Sequence, residues 1–458
     1  MALKSFASCL IIATFAAGCS LTPEYVRPDV PVPEKFTARS GAHVPNIDPQ
    51  WWRAFRNRTL NRLVAEANED NTDIAAAVRR IEQARANFRI ARSALFPAID
   101  ATANTAITRT KVEGLRADTR RTSRAAAALD WDLDIFGGNR AATAAARADI
   151  ASRHFDREDI ELAIQAEVAQ TYVGLLLARE RLRIADDTIR NFNDVLRIAE
   201  ARFEAGAATS LDIAQQRSAL ATARADRAIF VQQVRNGEDA LAVLLGDAAG
   251  TLKVNGSGLS AMRVPRVDTG RPAALLYRRP DIRRAEADLI AANADIGVAR
   301  AALFPSLGLD LQAAVATDPV TTTLSLGSNL LAPIFQGGRL KAGVRLSEAR
   351  KAELVEVYRK TVLVALQQVE DALAAVRAAQ DRVSSLTIAL NEARSAYRLS
   401  RIQYEAGAID FLTLLDAQRT LFFAEDALAV ARFDRLVAVV DLMQALGGGW
   451  VEEPKVEG

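Results

Sequence analysis

Three carboxylates, Asp130, Asp132 and Asp134, recur at every second position and superficially suggest a divalent-cation site. They lack the glycine and the distal glutamate of a calcium loop. Leu129, Trp131, Leu133 and Ile135 alternate with them. That spacing predicts one acidic and one apolar face of a β-strand, the acids lining a lumen or an aqueous interface. His43 lies in a proline-rich stretch and His154 in a long helical run, and neither has a cysteine or second histidine nearby. With two cysteines and two histidines in all, no Cys/His zinc site or disulfide framework is expected. Met1, Met262 and Met443 are the only methionines, so no methionine-lined path for soft metals is visible. There is no glycine-rich phosphate loop ending in Lys-Ser/Thr, and Gly447-Gly448-Gly449 closes a helix rather than opening one. No catalytic residue, metal site or cofactor is therefore assigned, and the chain is not expected to be an enzyme or to power transport itself.

The composition fits a large, ordered, mainly helical protein. Of 458 residues, 50% are hydrophobic and 25% charged, which excludes global disorder. The 58 basic and 56 acidic residues nearly cancel, which argues against a nucleic-acid partner. Aromatics are only 6%, which with abundant alanine favours long helices over an all-β fold.

Lys4 and the apolar run 5–17 have the length of a signal peptide and are too short to span a bilayer. The run ends in Ala16-Ala17-Gly18-Cys19, like a bacterial lipoprotein signal, although Ala16 stands where leucine is preferred. Residues 1–18 are then removed and Cys19 is lipidated. Ser20 follows where an inner-membrane retention signal would carry Asp, so the anchor points to the outer membrane. No later segment has eighteen uncharged apolar residues, so no transmembrane helix is expected. Residues 19–52 hold Pro23, Pro28, Pro31, Pro33, Pro45 and Pro49 and should be extended. Trp51, Trp52 and Phe55 then open the folded part.

The rest of the chain is duplicated. Ala94-Leu95-Phe96-Pro97 recurs at 302–305, Ile135-Phe136-Gly137-Gly138 as Ile334-Phe335-Gln336-Gly337-Gly338, and Phe203-Glu204-Ala205-Gly206 as Tyr404-Glu405-Ala406-Gly407. Three markers in one order at nearly one offset indicate an internal repeat. The halves are 53–250, with a β-hairpin at about 98–135 and a helical hairpin at about 138–247, and 251–458, with a β-hairpin at about 306–332 and a helical hairpin at about 338–446. Residues 53–95 read as one helical run. From Gly138 to Phe203 there is no proline, giving a helix of about 100 Å at 1.5 Å per residue. Its end carries the 3-4 stripe Leu182, Ala185, Ile189, Phe192, Leu196, Ala199, Phe203, repeated from Val383 to Tyr404. Such stripes build coiled-coil seams, and Gly206 and Gly407 suit left-handed caps that reverse the chain. Residues 109–121 read as a polar loop.

Nine to eleven alternating residues also suit a transmembrane β-strand. Four strands cannot close a barrel, and lipid does not tolerate open edges, so membrane strands here require oligomerisation. Three chains supply twelve strands, enough to begin leaving a lumen. A 100 Å helix cannot fit a bilayer of about 30 Å and would continue as a periplasmic tunnel.

At this point the sequence resembles the outer membrane factors, the TolC-like channel proteins, in their OprM-like or NodT-type lipoprotein branch for multidrug efflux. The resemblance rests on Trp51-Trp52 through Phe96-Pro97, on Tyr277-Arg278-Arg279-Pro280-Asp281 and the run to Phe304-Pro305, on Phe411-Leu412-Thr413-Leu414-Leu415-Asp416, and on Ala445-Leu446-Gly447-Gly448-Gly449-Trp450. It implies a homotrimer with a twelve-stranded β-barrel in the outer membrane continued by a periplasmic α-helical barrel. It also implies a periplasmic adaptor and an inner-membrane pump of the resistance-nodulation-division class. In that branch a leucine ring and an aspartate ring narrow the periplasmic tip. The matching positions are Leu412 and Asp416, with Arg419 one turn on as a pairing candidate. Three carboxylates near a threefold axis repel, need counter-ions and select against anions. Leu211 matches Leu412, but Gln215 stands where Asp416 does, so one such aspartate ring is expected. The turns holding Phe203, Gly206 and Leu211, and Tyr404 and Gly407, are the expected adaptor contacts. The expected function is a passive efflux duct for small lipophilic compounds. Metal-ion efflux and type I protein secretion are alternatives, and a lipid-anchored periplasmic coiled-coil scaffold is one of another class.

Overall fold

The run 53–95 is not one helix. Residues 51–55 form a 3-10 turn, α1 spans Arg58–Asp70 and α2 spans Thr72–Ser93. Asn71 makes the break: its backbone is extended, and its side-chain carbonyl accepts from the amides of Asp73 at 2.9 Å and Ile74 at 3.2 Å. Its amide group donates to the Leu244 carbonyl at 2.9 Å. A side chain that caps a new helix and fixes a distant one outweighs the helical propensity of its neighbours. These elements belong to a computed structural model that describes residues 20–37, 49–255, 258–267, 271–317 and 319–448. Cys9, Cys19, His43, Gly449 and Trp450 lie outside the described residues.

After α2 come β1 (Ala98–Thr110), β2 (Asp118–Asp132), α3 (Gly138–Glu204) and α4 (Ser210–Leu244). The second half runs through the short α5 (Leu275–Arg278), then α6 (Pro280–Ala301), β3 (Ser306–Ala316), β4 (Thr321–Leu331), α7 (Arg339–Glu405) and α8 (Phe411–Ala445). Each half thus gives helix, β-hairpin, a helix of 67 residues and one of 35. The described residues form two compact units, drawn from 1–30, 78–156 and 281–361, and from 31–77, 157–280 and 362–458.

The first unit contains the sheet. Its four strands are antiparallel in the order β1-β2-β3-β4, so β1 and β4 are free edges. The register aligns Ile99, Leu129, Leu311 and Leu326 on one face and Asp100, Ala128, Gln312 and Ser325 on the other. Alternation therefore separates an apolar face from a polar one. All of β1 and nearly all of β4 are exposed in the single chain. The polar loop is shorter than expected, only 111–117, because the β1–β2 ladder continues through Thr108↔Arg120 and Thr110↔Asp118. Arg120 and Arg121 are strand residues. Asp134 is also not part of the acidic strand face. Its backbone is left-handed (φ 47°), and its carboxylate caps α3 by accepting from the amides of Asn139 at 2.8 Å and Arg140 at 2.9 Å.

Residues 20–30 lie on α6 and α7 without helix or strand. Arg27 forks onto both Glu286 oxygens at 2.7 Å, Asn293 donates to the Pro23 carbonyl at 2.7 Å, and Lys351 donates to Asn293 at 2.8 Å. Burial, then the Glu286 charge, pushes the Tyr25 hydroxyl up to about 12.

The second unit holds an extensive core. Trp51 and Phe55 meet edge-on and join Leu60, Leu63, Tyr172, Leu176 and Leu241, all essentially inaccessible. Each such side chain contributes about 1.5–3 kcal/mol by burial. The Trp51 indole N–H donates to Gln165 Oε1 at 3.2 Å, so the aromatic anchor is also polar-satisfied. One stretch of α3 is long and apolar enough to cross a membrane by length and composition, but 61% of it is buried in this packing.

Candidate functional site

The candidate site lies where α3 turns into α4 and α7 into α8. Gly206 and Gly407 adopt φ +74° and +75°. Ala207 N–H donates to the Arg202 carbonyl at 2.7 Å and Gly206 N–H to Phe203 at 2.9 Å; Ala408 and Gly407 repeat this with Gln403 and Tyr404. These are paired Schellman caps. The following helices start on side-chain caps. Thr209 and Asp212 form a reciprocal capping box, and Asp410 accepts from Thr413 N–H at 2.8 Å. Those Thr413 hydrogen bonds hold the Asp410 carboxyl below its ordinary pKa.

Both hairpins contribute to one apolar cluster: Phe192, Val195 and Leu220 from the first, Tyr397, Phe411 and Leu414 from the second. On α8 the buried face is Phe411, Leu414, Leu415 and Gln418. Leu412, Asp416 and Arg419 occupy the opposite, exposed face, Leu412 at 60% exposure. Leu211 is exposed to the same degree, at 62%. Within the chain no ion pair joins Asp416 to Arg419 among the described residues; the two side chains are presented outward separately.

Phe203 and Tyr404, equivalent in the repeat, are treated differently. Phe203 is 46% exposed, Tyr404 only 3%. Two neighbours cover Tyr404: the Phe411 ring meets it edge-on at 5.9 Å where the first half has Ser210, and the Arg202 guanidinium lies 4.7 Å from the ring centre and donates to the Tyr404 carbonyl. Burial raises the Tyr404 hydroxyl pKa, and the Arg202 charge partly opposes it. Burial likewise raises that of Tyr397. Sequence reasoning missed Arg202, because the second half has Gln403 in its place and no pattern marks it. It also missed Gln216, buried on α4 with its amide donating to the Phe192 carbonyl at 2.8 Å.

The seam residues divide as well. In the second half Leu390, Ala393, Tyr397 and Tyr404 are buried as the stripe requires. In the first half Ala185, Phe192 and Ala199 are buried, but Ile184, Thr188 and Val195 join them, so that stripe is wider. Among the described residues no three of His, Cys, Asp and Glu converge as metal ligands. This arrangement offers an exposed face on α8 and a reinforced turn.

The outer membrane efflux protein family model matches residues 63–247 and 272–448, which include both hairpins, the sheet and the tip. The chain belongs to this family. Pyoverdine export outer membrane protein OpmQ of Pseudomonas aeruginosa is 36% identical over 98% of this chain and 97% of its own length. The toluene efflux pump outer membrane protein TtgC of Pseudomonas putida is 32% identical over 98% and 96%. The solved outer-membrane channel OprN superposes with a TM-score of 0.86 at 29% identity, covering 94% of this chain and all of that one. This outer membrane efflux protein is thus an outer membrane component of an efflux system, built on the mainly helical, duplicated fold of those channels.

Proposed function

We propose that three copies of this efflux protein close their sheets into one twelve-stranded barrel and form a passive exit duct. The observation that carries this is the sheet itself. It has four strands, one apolar and one polar face, and two unpaired edges. Unpaired edges are not stable in lipid, and ring closure by identical neighbours removes them. α3 and α7, 67 residues each, span about 100 Å and supply the periplasmic part. Cys19 carries the lipid anchor. Leu412 and Asp416 narrow the tip, and the turns at Gly206 and Gly407 dock a periplasmic adaptor that links the duct to a resistance-nodulation-division pump.

Small lipophilic compounds are the proposed cargo, in line with the toluene named for TtgC. The likeness to OpmQ favours a second cargo, a secreted metabolite of the pyoverdine kind. Growth of a deletion strain, with and without complementation, separates them. Sensitivity to lipophilic drugs and detergents supports the first, and a secreted product trapped in the periplasm supports the second. Sensitivity confined to copper, silver, zinc or cobalt would overturn both.

A further inference from the structure

The apolar face of the sheet changes character toward the tip of the first hairpin. At its foot stands Trp131, opposite Leu309, an aromatic residue suited to a membrane interface. Above it Leu129, Leu311, Leu324 and Leu326 form the apolar band. It ends at a polar rung, where the Thr105 and Ser123 hydroxyls meet at 3.2 Å and Ser123 N–H donates to the Thr317 hydroxyl at 3.0 Å. Beyond that rung only β1 and β2 continue. On the same outward face they carry Arg121, opposite Ile107, and Arg109, opposite Thr119.

These arginines differ from those on the polar face. Arg124 points inward and donates to Gln312 at 2.9 Å. Arg109 and Arg121 have no ion-pair partner among the described residues. The segment 109–124 holds Arg109, Lys111, Arg116, Arg120, Arg121 and Arg124 against two acids, Glu113 and Asp118. The second hairpin, 306–331, has no basic residue. The positive charge is therefore confined to one hairpin per chain, and two of its guanidinium groups face outward above the apolar band.

We infer that Arg109 and Arg121 bind the phosphates of lipid headgroups in the outer leaflet. This rests on the proposal that the sheet spans the outer membrane. Acyl chains against the leucine band bring their headgroups to the level of the polar rung. A guanidinium there meets phosphate with two parallel donors. The two positions lie on adjacent strands of one sheet face, two rungs or about 7 Å apart along the ladder, so each takes its own anionic oxygens. In a trimer the pair recurs three times and forms a basic collar that fixes the height of the barrel.

The test uses the purified full-length trimer in phosphatidylcholine nanodiscs, titrated with bis-phosphorylated lipid A. The variants are Arg109→Gln with Arg121→Gln, and Arg120→Gln with Arg124→Gln as the inward-facing control. At roughly fivefold per arginine near a charged surface, the outward pair loses about thirtyfold in affinity and the control keeps it. Dephosphorylated lipid A binds the wild type as weakly as bis-phosphorylated lipid A binds the outward variant. Equal binding of all three proteins would overturn the collar, as would complete displacement of the lipid by millimolar inorganic phosphate. Conductance is read on the same preparations: a conducting outward variant with unchanged lipid binding removes the collar alone, whereas a wild type that never conducts removes the spanning sheet and the collar with it.

Discussion

The guanidinium of Arg202 lies 4.7 Å from the centre of the Tyr404 ring and also donates to the Tyr404 carbonyl and, at 3.4 Å, to that of Ala207. One side chain thus ties the first tip turn to the last turn of α7. Position 403 holds glutamine, so no reciprocal clasp exists. The two hairpins are held together asymmetrically, and α8 carries the candidate gate residues just beyond the clasp.

Arg202→Ala removes the ring contact, worth about 0.5–1 kcal/mol at a partly exposed site, and the fork onto the carbonyls. Hydrogen exchange of the amides at 405–408 should speed up and single-channel open probability should rise. Arg202→Lys should restore little, since a lysine keeps the charge but not the fork. An Arg202→Ala channel indistinguishable from wild type would show that the clasp does not restrain the tip.

The N-terminal strap has its own test. A Cβ built on Gly297 would overlap the Thr22 hydroxyl and come within 3.0 Å of Thr22 Cα. Gly297→Val should therefore cost about 1–3 kcal/mol or displace the strap. Chymotrypsin should then cut after Tyr25, which docking on α6 and α7 otherwise keeps half-buried. Thr22→Gly in the same chain should restore protection. Cleavage equal to wild type in the single variant would count against the strap's docking.

Thr209→Ala removes half of the capping box with Asp212 and should destabilise the start of α4 by about 1 kcal/mol. Hydrogen exchange of the amides at 210–213 should speed up about fivefold while the rest of α4 is unchanged. Unchanged exchange there would mean that tertiary packing, not the cap, fixes this turn.

The duplicated plan was legible because its signals are local and repeated. Phe-Pro, Gly-Gly and Glu-Ala-Gly recur in order, and each marks an obligatory break or cap. Period-two alternation placed Leu311 and Asp310 on opposite faces correctly. Legibility failed where one side chain acts at a distance. Asn71 breaks a helix by bonding Leu244, which no window of neighbours contains. Asp134 follows the strand alternation but leaves the strand to cap α3. Arg109 and Arg121 read as loop residues because the threonines around them resemble both loop and strand. At the tip, the family resemblance singled out Leu412 and Asp416, with Arg419 one turn on, but the burial of Tyr404 against the exposure of Phe203 involves Arg202 and Phe411, which have no counterparts in the repeat.

The central claim is that the trimer conducts passively through a constriction at Leu412 and Asp416. The measurement is planar-bilayer conductance of purified wild type beside the Leu412→Ala, Asp416→Ala double variant. Low wild-type conductance, rising severalfold in the double variant with weakened cation preference, is the predicted result. A double variant with wild-type conductance and selectivity would contradict the gate, and an inserted trimer that conducts in neither form would contradict the duct.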